Sequence, residues 1–169
     1  MINTHEFRDA MSLLTGAVNI ITTTGEEGDY GLTASAVCSV TDDPPTLLVC
    51  INRSSAAHSH FNKNSHLCVN VLSAECESIS KAFSNKSLSI YERFSEGNWY
   101  HLSSKAPALK EALVTFDCEI VAKHDVGTHT IFYAEVIATA IAKESPEALK
   151  GLIYFNRRYH QVEHARESA

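Results

Sequence analysis

The chain has 169 residues, of which 44% are hydrophobic, and this is enough for a single domain over residues 1–169 with a sizeable core. Its formal net charge is -6 and its pI is near 5.8, which argues against a surface for nucleic acid or anionic membranes, because such surfaces cluster lysine and arginine. No apolar run approaches the roughly 20 residues that span a bilayer. We therefore expect a cytoplasmic protein with no nucleic-acid partner and no membrane partner.

The cysteines and histidines do not form the patterns of a disulfide framework or a metal site. The chain has five cysteines, an odd number, with no C-x-x-C pair, and most lie in apolar stretches typical of reduced core thiols. His58, His60 and His66 lie close together in the sequence, but no carboxylate has a spacing suited to metal binding. We expect no metal.

The beginning of the chain predicts one helix followed by a β-hairpin. Asn3 and Glu6 have the spacing of a capping box, and the apolar residues that follow recur with helical periodicity until Gly16. This pattern predicts a helix with one buried face. Residues 18–24 are largely β-branched, and a polar turn joins them to residues 30–40, so we expect two paired strands.

Residues 30–40 are rich in glycine, alanine, serine and threonine, and we expect them to form one strand. Glycine and alanine let a flat ligand approach the main chain, and the hydroxyls of Thr33, Ser35 and Ser39 can donate hydrogen bonds to it. The run therefore indicates one wall of a cofactor site. The alternative is an ordinary buried strand whose small residues accommodate a neighbouring element.

A buried strand and a polar helix start follow this run. Residues 46–51 are apolar on both faces and predict an interior strand, which is reached through a turn at Asp42-Asp43-Pro44-Pro45. Residues 52–55 are polar and can cap a short helix that extends through Phe61. Free N–H groups at the start of that helix, with Arg53 nearby, can hold an anion. An ordinary capped helix is the alternative.

The rest of the chain predicts more strands and a further helix. We expect an irregular segment at residues 84–105, a helix through Ile79 and Phe83, and strands at residues 67–72, 113–123, 130–142 and 152–155. Many strands, few short helices and no regular strand–helix alternation predict a mainly β fold. We expect an antiparallel barrel with peripheral helices.

The common signatures of catalytic sites are absent from the sequence. Neither glycine-rich nucleotide-binding motif occurs, and no serine lies in a G-x-S-x-G turn. Two candidate clusters remain. His129 begins a predicted strand, where it either reaches into a pocket or is structural. Residues 154–160 combine aromatic rings with two guanidinium groups, which suits stacking and phosphate pairing unless they form a solvated strand end.

Several segments in chain order resemble the short-chain flavin reductase family, the reductase components of two-component flavin-dependent monooxygenases. The resemblance covers nearly the whole chain and is carried by Phe7-Arg8-Asp9-Ala10-Met11, residues 17–23, residues 33–42, Pro44-Pro45, residues 67–70, Gly127-Thr128-His129 and residues 151–155. Many members carry Gly-Asp-His where this chain has Gly127-Thr128-His129. A role of that acidic side chain therefore does not transfer.

The resemblance implies a split β-barrel of the FMN-binding-like, Greek-key type with short peripheral α-helices, acting as a homodimer. It implies hydride transfer from NADH, or NADPH, to FMN or FAD, and supply of diffusible reduced flavin to a separate monooxygenase. Residues 154–160 look most like the reductase component of 4-hydroxyphenylacetate 3-monooxygenase, which we take as the first assignment. Residues 47–53 and 111–118 look more like the pyrimidine-utilisation FMN reductase. That reductase, or a non-catalytic flavin-binding split-barrel protein, is the alternative.

By matching position, the resemblance implies cofactor-binding residues in four parts of the chain. The flavin ring would lie against Thr33, Ala34, Ser35, Ala36, Val37 and Ser39, and its ribityl and phosphate groups against Cys50, Ile51, Asn52, Arg53, Ser54 and Ser55. Phe83 and Lys86 would border the flavin. His129, the candidate catalytic residue, would face the nicotinamide nucleotide together with Tyr154, Phe155, Arg157 and Arg158.

Hydride transfer between a nicotinamide and a flavin needs no protein acid or base. The protein has to stack the two rings at reacting distance, and backbone N–H groups near residues 34–37 can stabilise negative charge on the flavin. The absence of a catalytic triad, carboxylate dyad or metal set is therefore expected for this reaction.

Overall fold

The computed structural model describes residues 2–145 and 148–163. The helices are α1 (Thr4–Ser12), α2 (His58–Lys63), α3 (Glu77–Ser84) and α4 (Ile90–Phe94), with a 3-10 turn at Ala74–Cys76 before α3. The strands are β1 (Gly16–Ala17), β2 (Asn19–Gly25), β3 (Gly28–Ala34), β4 (Val37–Asp42), β5 (Pro45–Asn52), β6 (His66–Leu72), β7 (Trp99–His101), β8 (Pro107–Leu109), β9 (Ala112–Val126), β10 (His129–Ile141), β11 (Lys150–Phe155) and β12 (Arg158–Glu163).

The main sheet has seven strands in the order β3-β2-β6-β9-β10-β5-β4, and each neighbouring pair is antiparallel. A second sheet, β1-β11-β12, and the small pair β7-β8 pack beside it. The predicted mainly β, antiparallel architecture with peripheral helices is confirmed. β3 and β4 lie at opposite edges of the main sheet, but only two residues join them, so the sheet curls into a barrel that brings its two edges close together.

The prediction of one strand over residues 30–40 is wrong, because the short connection between these two edge strands divides the run. β3 ends at Ala34 and β4 begins at Val37, with Ser35 and Ala36 between them. The Val37 N–H donates to the Ser35 carbonyl at 3.0 Å, and the side chain of Asn19 donates to the Ala34 carbonyl at 3.1 Å. The small residues therefore form a turn as well as a strand end.

Helix α1 begins as predicted but has no buried face in the single chain. The Glu6 N–H donates to Asn3 Oδ1 at 2.9 Å and the Asn3 N–H donates to Glu6 Oε2 at 3.1 Å, which confirms the capping box. The helix ends at Ser12, before Gly16, and its apolar side chains Phe7 and Met11 are 53% and 45% exposed. The prediction of a buried face is therefore wrong for the isolated chain.

The structure also differs from the predicted secondary structure at two other places. The helix after residues 52–55 begins only at His58, because the Asn52 side chain accepts the Ser54 N–H at 2.9 Å and holds these residues in a turn. Strand β12 is not predicted. It pairs with β11 through a turn in which Asn156 and Arg157 have positive φ angles of 47° and 61°, and no Asn-Gly or Asp-Gly pair signals that turn.

Asn70 is a fully buried polar residue that joins four strands. Its Oδ1 accepts hydrogen bonds from the Leu109 N–H at 2.8 Å and the Thr115 hydroxyl at 3.1 Å, and its Nδ2 donates to the Ile20 carbonyl at 3.1 Å. β2, β6, β8 and β9 therefore meet at one side chain. Since buried polar groups are costly when unpaired, Asn70 fixes how β8 lies against the main sheet.

We predict that Asn70→Leu, which keeps the volume and removes the hydrogen bonds, lowers the free energy of unfolding by about 2–4 kcal/mol, because the Leu109 N–H and the Thr115 hydroxyl are left buried without a partner. Urea unfolding followed by circular dichroism measures this change. Asn62→Leu, at an exposed position on α2, is the matched control. An equal effect of the two substitutions would contradict the role given to Asn70.

Candidate functional site

A cavity of about 600 Å³ lies where the end of β3, the end of β5 and the C-terminal end of α3 meet. Small-molecule sites commonly have volumes of about 300–1,000 Å³. The predicted cofactor-binding residues that line it are Thr33, Ala34, Ser35, Ala36, Cys50, Ile51, Asn52, Ser54, Ser55, Phe83, Lys86 and His129. Residues that lie far apart in the sequence are therefore brought to one cavity.

Phe83 forms an apolar part of the cavity wall, and its position depends on Gly31. A Cβ atom at Gly31 would lie 2.8 Å from Phe83 Cε1 and 3.1 Å from the Ile21 carbonyl oxygen, so a glycine is needed for this close approach. The Phe83 ring also contacts Phe94, with ring centres 5.0 Å apart, and Trp99, with centres 5.5 Å apart. The ring is therefore held from both sides.

The hydroxyls predicted to donate to a ligand are used differently in the structure. Thr33 Oγ1 donates to the Ser80 carbonyl at 2.7 Å, so its proton is engaged within the protein. The Ser80 hydroxyl in turn bonds the Tyr159 hydroxyl at 2.8 Å, which joins α3 to β12. Ser35 is exposed at the cavity, and within the described residues its hydroxyl has no hydrogen-bond partner. Ser35 is therefore the better candidate donor.

The charged groups at the cavity are positive. Lys86 and Arg93 both contribute to its wall, and no carboxylate is present among the described lining residues. This local excess contrasts with the net charge of -6 on the whole chain. An anionic ligand would therefore find favourable electrostatics here in spite of the acidic balance of the protein.

His129 lies at the cavity at the start of β10, paired in register with Asn52 of β5. Its Nδ1 is 2.9 Å from the hydroxyl of Thr128, the residue that stands where many family members have an acid. That contact orients the imidazole ring. Within the described part of the chain Nε2 has no hydrogen-bond partner, so it can bind a ligand.

Arg53 does not line the cavity, because its guanidinium faces another group. Its Nη2 lies 3.8 Å from Asp125 Oδ2, and Asp125 also accepts the Thr130 hydroxyl at 2.6 Å. The hydrogen bond from Thr130, followed by the charge of Arg53, holds the pKa of Asp125 below its ordinary value. The Thr130 hydroxyl also bonds His58 Nε2 at 2.8 Å, so a polar network of Asp125, Thr130 and His58 lies at the residue that follows His129.

Six other predicted binding residues also lie outside the lining of this cavity: Val37, Ser39, Tyr154, Phe155, Arg157 and Arg158. Val37 packs against the barrel core and Ser39 is exposed on β4. Arg157 forms an ion pair with Asp9 of α1. A contact between the Tyr154–Arg158 region and a nicotinamide nucleotide therefore stays a prediction.

Arg93 is a lining residue that the sequence did not single out, and so are Leu32, Ala56, Ala57 and Ser84. Arg93 lies on α4, inside the segment for which no regular structure was predicted. Ser89 and Glu92 form a capping box at the start of this helix. Their S-x-x-E spacing predicts the start of a helix, and this signal could have located α4 and shown that Arg93 lies on it.

The buried cysteine thiols and the thiol at the cavity are poor nucleophiles. All five are free, and three of them, including Cys68 and Cys118, are buried. Burial raises the pKa of the Cys118 thiol to about 12 and also raises the pKa of Cys50, the thiol at the cavity. Among the described residues there is no group of histidines, cysteines and carboxylates that could hold a metal ion, and no helix long and apolar enough to span a membrane.

Comparison with known proteins identifies the family. Residues 11–163 match the family described as the flavin reductase like domain, and the chain belongs to this family. An NADH-dependent FMN reductase named RutF from Serratia proteamaculans is 50% identical over 161 residues, which are 95% of this chain and 89% of the relative.

Two solved structures show the same architecture at full length. A crystal structure from Haemophilus somnus, described as that of a flavin reductase, superposes with a TM-score of 0.90 at 48% identity and covers 95% of this chain and 100% of that one. The styrene monooxygenase flavin reductase from Pseudomonas putida has a TM-score of 0.81 at 27% identity, with 94% and 98% covered. The predicted split β-barrel fold is thereby confirmed.

We predict that Gly31→Ala displaces the Phe83 ring from the cavity wall and lowers the free energy of unfolding by about 1–3 kcal/mol, because the new methyl group overlaps the ring. Urea unfolding measures the loss, and the emission of Trp99 reports the shift of the ring beside it. The double variant Gly31→Ala, Phe83→Leu should recover part of the stability, since the smaller side chain relieves the overlap. No recovery would contradict this explanation.

Proposed function

We propose that the protein, as a single flavin reductase domain over residues 1–169, transfers hydride from NADH to FMN, accepts FAD as well, and releases the reduced flavin to a separate monooxygenase. One observation carries this proposal. The cavity unites a wall of small residues with a positively charged rim, at positions that the family resemblance relates to flavin binding. The relatives named as NADH-dependent FMN reductases support both the donor and the acceptor.

The residues at the cavity fit a flavin nucleotide. Residues 32–36 offer backbone and small side chains to a flat ring, and Phe83 gives an apolar face. Lys86 and Arg93 offer positive charge to a phosphate, and the turn at Asn52, Ser54 and Ser55 adds hydroxyl and amide groups. A bound flavin supplies the hydride-accepting chemistry, which no side chain of the protein can supply.

The protein's part in the reaction is to bind, orient and exclude water. The wall at residues 32–36 and the Phe83 ring limit the orientations that a flat ring can take. We expect His129 to face the nicotinamide nucleotide through Nε2, with its ring held by Thr128. Fixed orientation of two reacting rings lowers the barrier without any protein proton transfer.

Two assignments within the family are supported by different observations. The RutF relatives support the pyrimidine-utilisation FMN reductase, which we take as the more specific proposal. The likeness of residues 154–160 to the reductase component of 4-hydroxyphenylacetate 3-monooxygenase keeps that enzyme as the second candidate. The likeness in fold to the styrene monooxygenase reductase supports, for either assignment, transfer of reduced flavin to a separate oxygenase.

We also propose a cytoplasmic homodimer in which the apolar face of α1 is covered. Phe7 and Met11 of α1 are 53% and 45% exposed in the single chain, and Leu14, just after the helix, is 66% exposed. Apolar groups clustered on one helix are typical of an interface between subunits. Sedimentation equilibrium measures the mass, and a monomer at micromolar concentration would contradict this proposal.

We predict that catalytic amounts of the protein cause NADH oxidation only when flavin is added, with FMN reduced faster than FAD. Anaerobic stopped-flow mixing of protein, NADH and FMN measures the loss of the visible flavin absorbance. A control with flavin and NADH alone gives the uncatalysed rate. Flavin binding without any bleaching would favour the non-catalytic flavin-binding alternative and overturn the proposal.

We predict that His129→Ala raises the KM for NADH or slows hydride transfer by about tenfold, the effect of losing one hydrogen bond, and changes FMN affinity by less than about twofold. Steady-state kinetics and fluorescence titration with FMN measure the two effects separately. His101→Ala, at an exposed position on β7, is the matched control. Equal losses for both ligands would contradict the placement of His129 at the nicotinamide.

A further inference from the structure

The Thr130 hydroxyl is the centre of a polar network next to His129. Thr130 is 1% exposed, and its Oγ1 donates to Asp125 Oδ1 at 2.6 Å. His58 Nε2 lies 2.8 Å from the same hydroxyl oxygen. A hydroxyl has one proton to donate, and Thr130 gives it to Asp125, so the hydrogen in the second contact belongs to His58 Nε2. The hydrogen bonds therefore run in one direction, from the histidine through the hydroxyl to the carboxylate.

Both partners of Thr130 are themselves fixed. The hydrogen bond from Thr130 is the main cause that holds the pKa of Asp125 below its ordinary value, so the acceptor is a carboxylate. The His58 ring makes an edge contact with the buried Phe132 ring, with ring centres 6.1 Å apart, and the His58 N–H donates to the Ser55 carbonyl at 3.0 Å. The network therefore joins the start of α2 to the end of β9 through one side chain of β10.

The place of Thr130 in β10 connects this network to His129. Neighbouring residues of a strand point to opposite faces, so Thr130 is buried while His129 is exposed at the cavity. Thr130 pairs in register with Asp125 of β9 and with Ile51 of β5, and Ile51 also lines the cavity. The buried anchor is thus one residue away from the imidazole ring, and the backbone of β10 carries its constraint to that ring.

The turn before His129 is also bound by Arg53. The Arg53 N–H donates to the Thr128 carbonyl at 2.9 Å, and the Thr128 hydroxyl lies 2.9 Å from His129 Nδ1. The Arg53 side chain faces Asp125 at 3.8 Å, but both side chains are half exposed, and such ion pairs contribute little. Since the Thr130 hydroxyl is buried, its hydrogen bonds compete less with water and form the stronger link at this turn.

We propose that Thr130, through its hydrogen bonds to Asp125 and His58, is a positioning residue that fixes His129 for the nicotinamide nucleotide. This inference rests on the proposed function, in which His129 faces that nucleotide, and adds a residue that does not line the cavity. A side chain that is already held in one orientation loses little freedom when a ligand binds to it. Without the network, the nucleotide has to order the His129 ring at a cost in affinity.

The first test removes and restores the hydroxyl in the full-length protein. Thr130→Val keeps the shape of the side chain and should raise the KM for NADH by about three- to tenfold, the effect of losing one hydrogen bond. The FMN dissociation constant, measured by flavin fluorescence without NADH, should change by less than about twofold. Thr130→Ser retains the hydroxyl and should keep the KM near the wild-type value. Equal weakening of FMN and NADH in Thr130→Val would assign Thr130 a structural role and overturn the inference.

A double-mutant cycle shows whether Thr130 acts through His129. In protein that already carries His129→Ala, Thr130→Val should change the KM for NADH by less than about twofold, because the ring that it positions is gone. Effects that simply multiply in the double variant would overturn the inference. Asp125→Ala removes the acceptor and should raise the KM as Thr130→Val does. Asp29→Ala, at an exposed position on β3, is the matched control and should leave it unchanged.

A measurement on flavin-free protein separates this inference from the proposed function. The chain has nine histidines, and in protein labelled with 13C-histidine the ring signal that is missing from His129→Ala belongs to His129. Relaxation of that signal should show a more mobile ring in Thr130→Val than in wild type or Thr130→Ser. This result in a protein that reduces no flavin with NADH would overturn the proposed function and leave the positioning of His129 standing. Unchanged mobility in Thr130→Val would overturn the inference, even if the protein reduces flavin.

Discussion

The close contact between β3 and α3 is the constraint on which the cavity depends. Gly31 has no side chain, and the Phe83 ring therefore packs directly against the backbone of the hairpin formed by β2 and β3. Two residues along β3, the Thr33 hydroxyl donates to the Ser80 carbonyl on the same helix. These contacts fix α3 on the edge of the main sheet. The fixed helix places Phe83 in the wall and brings the following segment, with Lys86, to the rim.

The electrostatics of the site follow from where the acidic groups are engaged. Asp125 accepts the Thr130 hydroxyl and faces Arg53, while Glu92 is used in the cap of α4. Neither carboxylate is among the residues that line the cavity. An acidic protein can therefore keep a positively charged site, because its carboxylates near the site are bound elsewhere and do not offset Lys86 and Arg93.

The sequence predicted the residues of the cavity better than the path of the chain that forms it. The positions carried over from the family resemblance, such as Ser35 and Cys50, line one cavity, where the end of β3 and the end of β5 come together. Local patterns could not show that the chain turns after Ala34 and passes from one edge strand to the other, since small residues suit a strand and a turn equally. The direction of the Arg53 side chain depends on Asp125, which lies far away in sequence. The burial of the Arg93 Nε without a hydrogen-bond partner among the described residues depends on the folded structure, so no sequence pattern could have shown it.

An unpaired donor has thermodynamic consequences for the whole fold. Desolvating the Arg93 Nε without a partner raises the free energy of the protein, and a small rearrangement of the cavity wall that gives this nitrogen an acceptor would remove the penalty. Since a ligand stabilises a protein in proportion to its preference for the folded state, nucleotide binding should be coupled to the stability of α3, α4 and the segment between them.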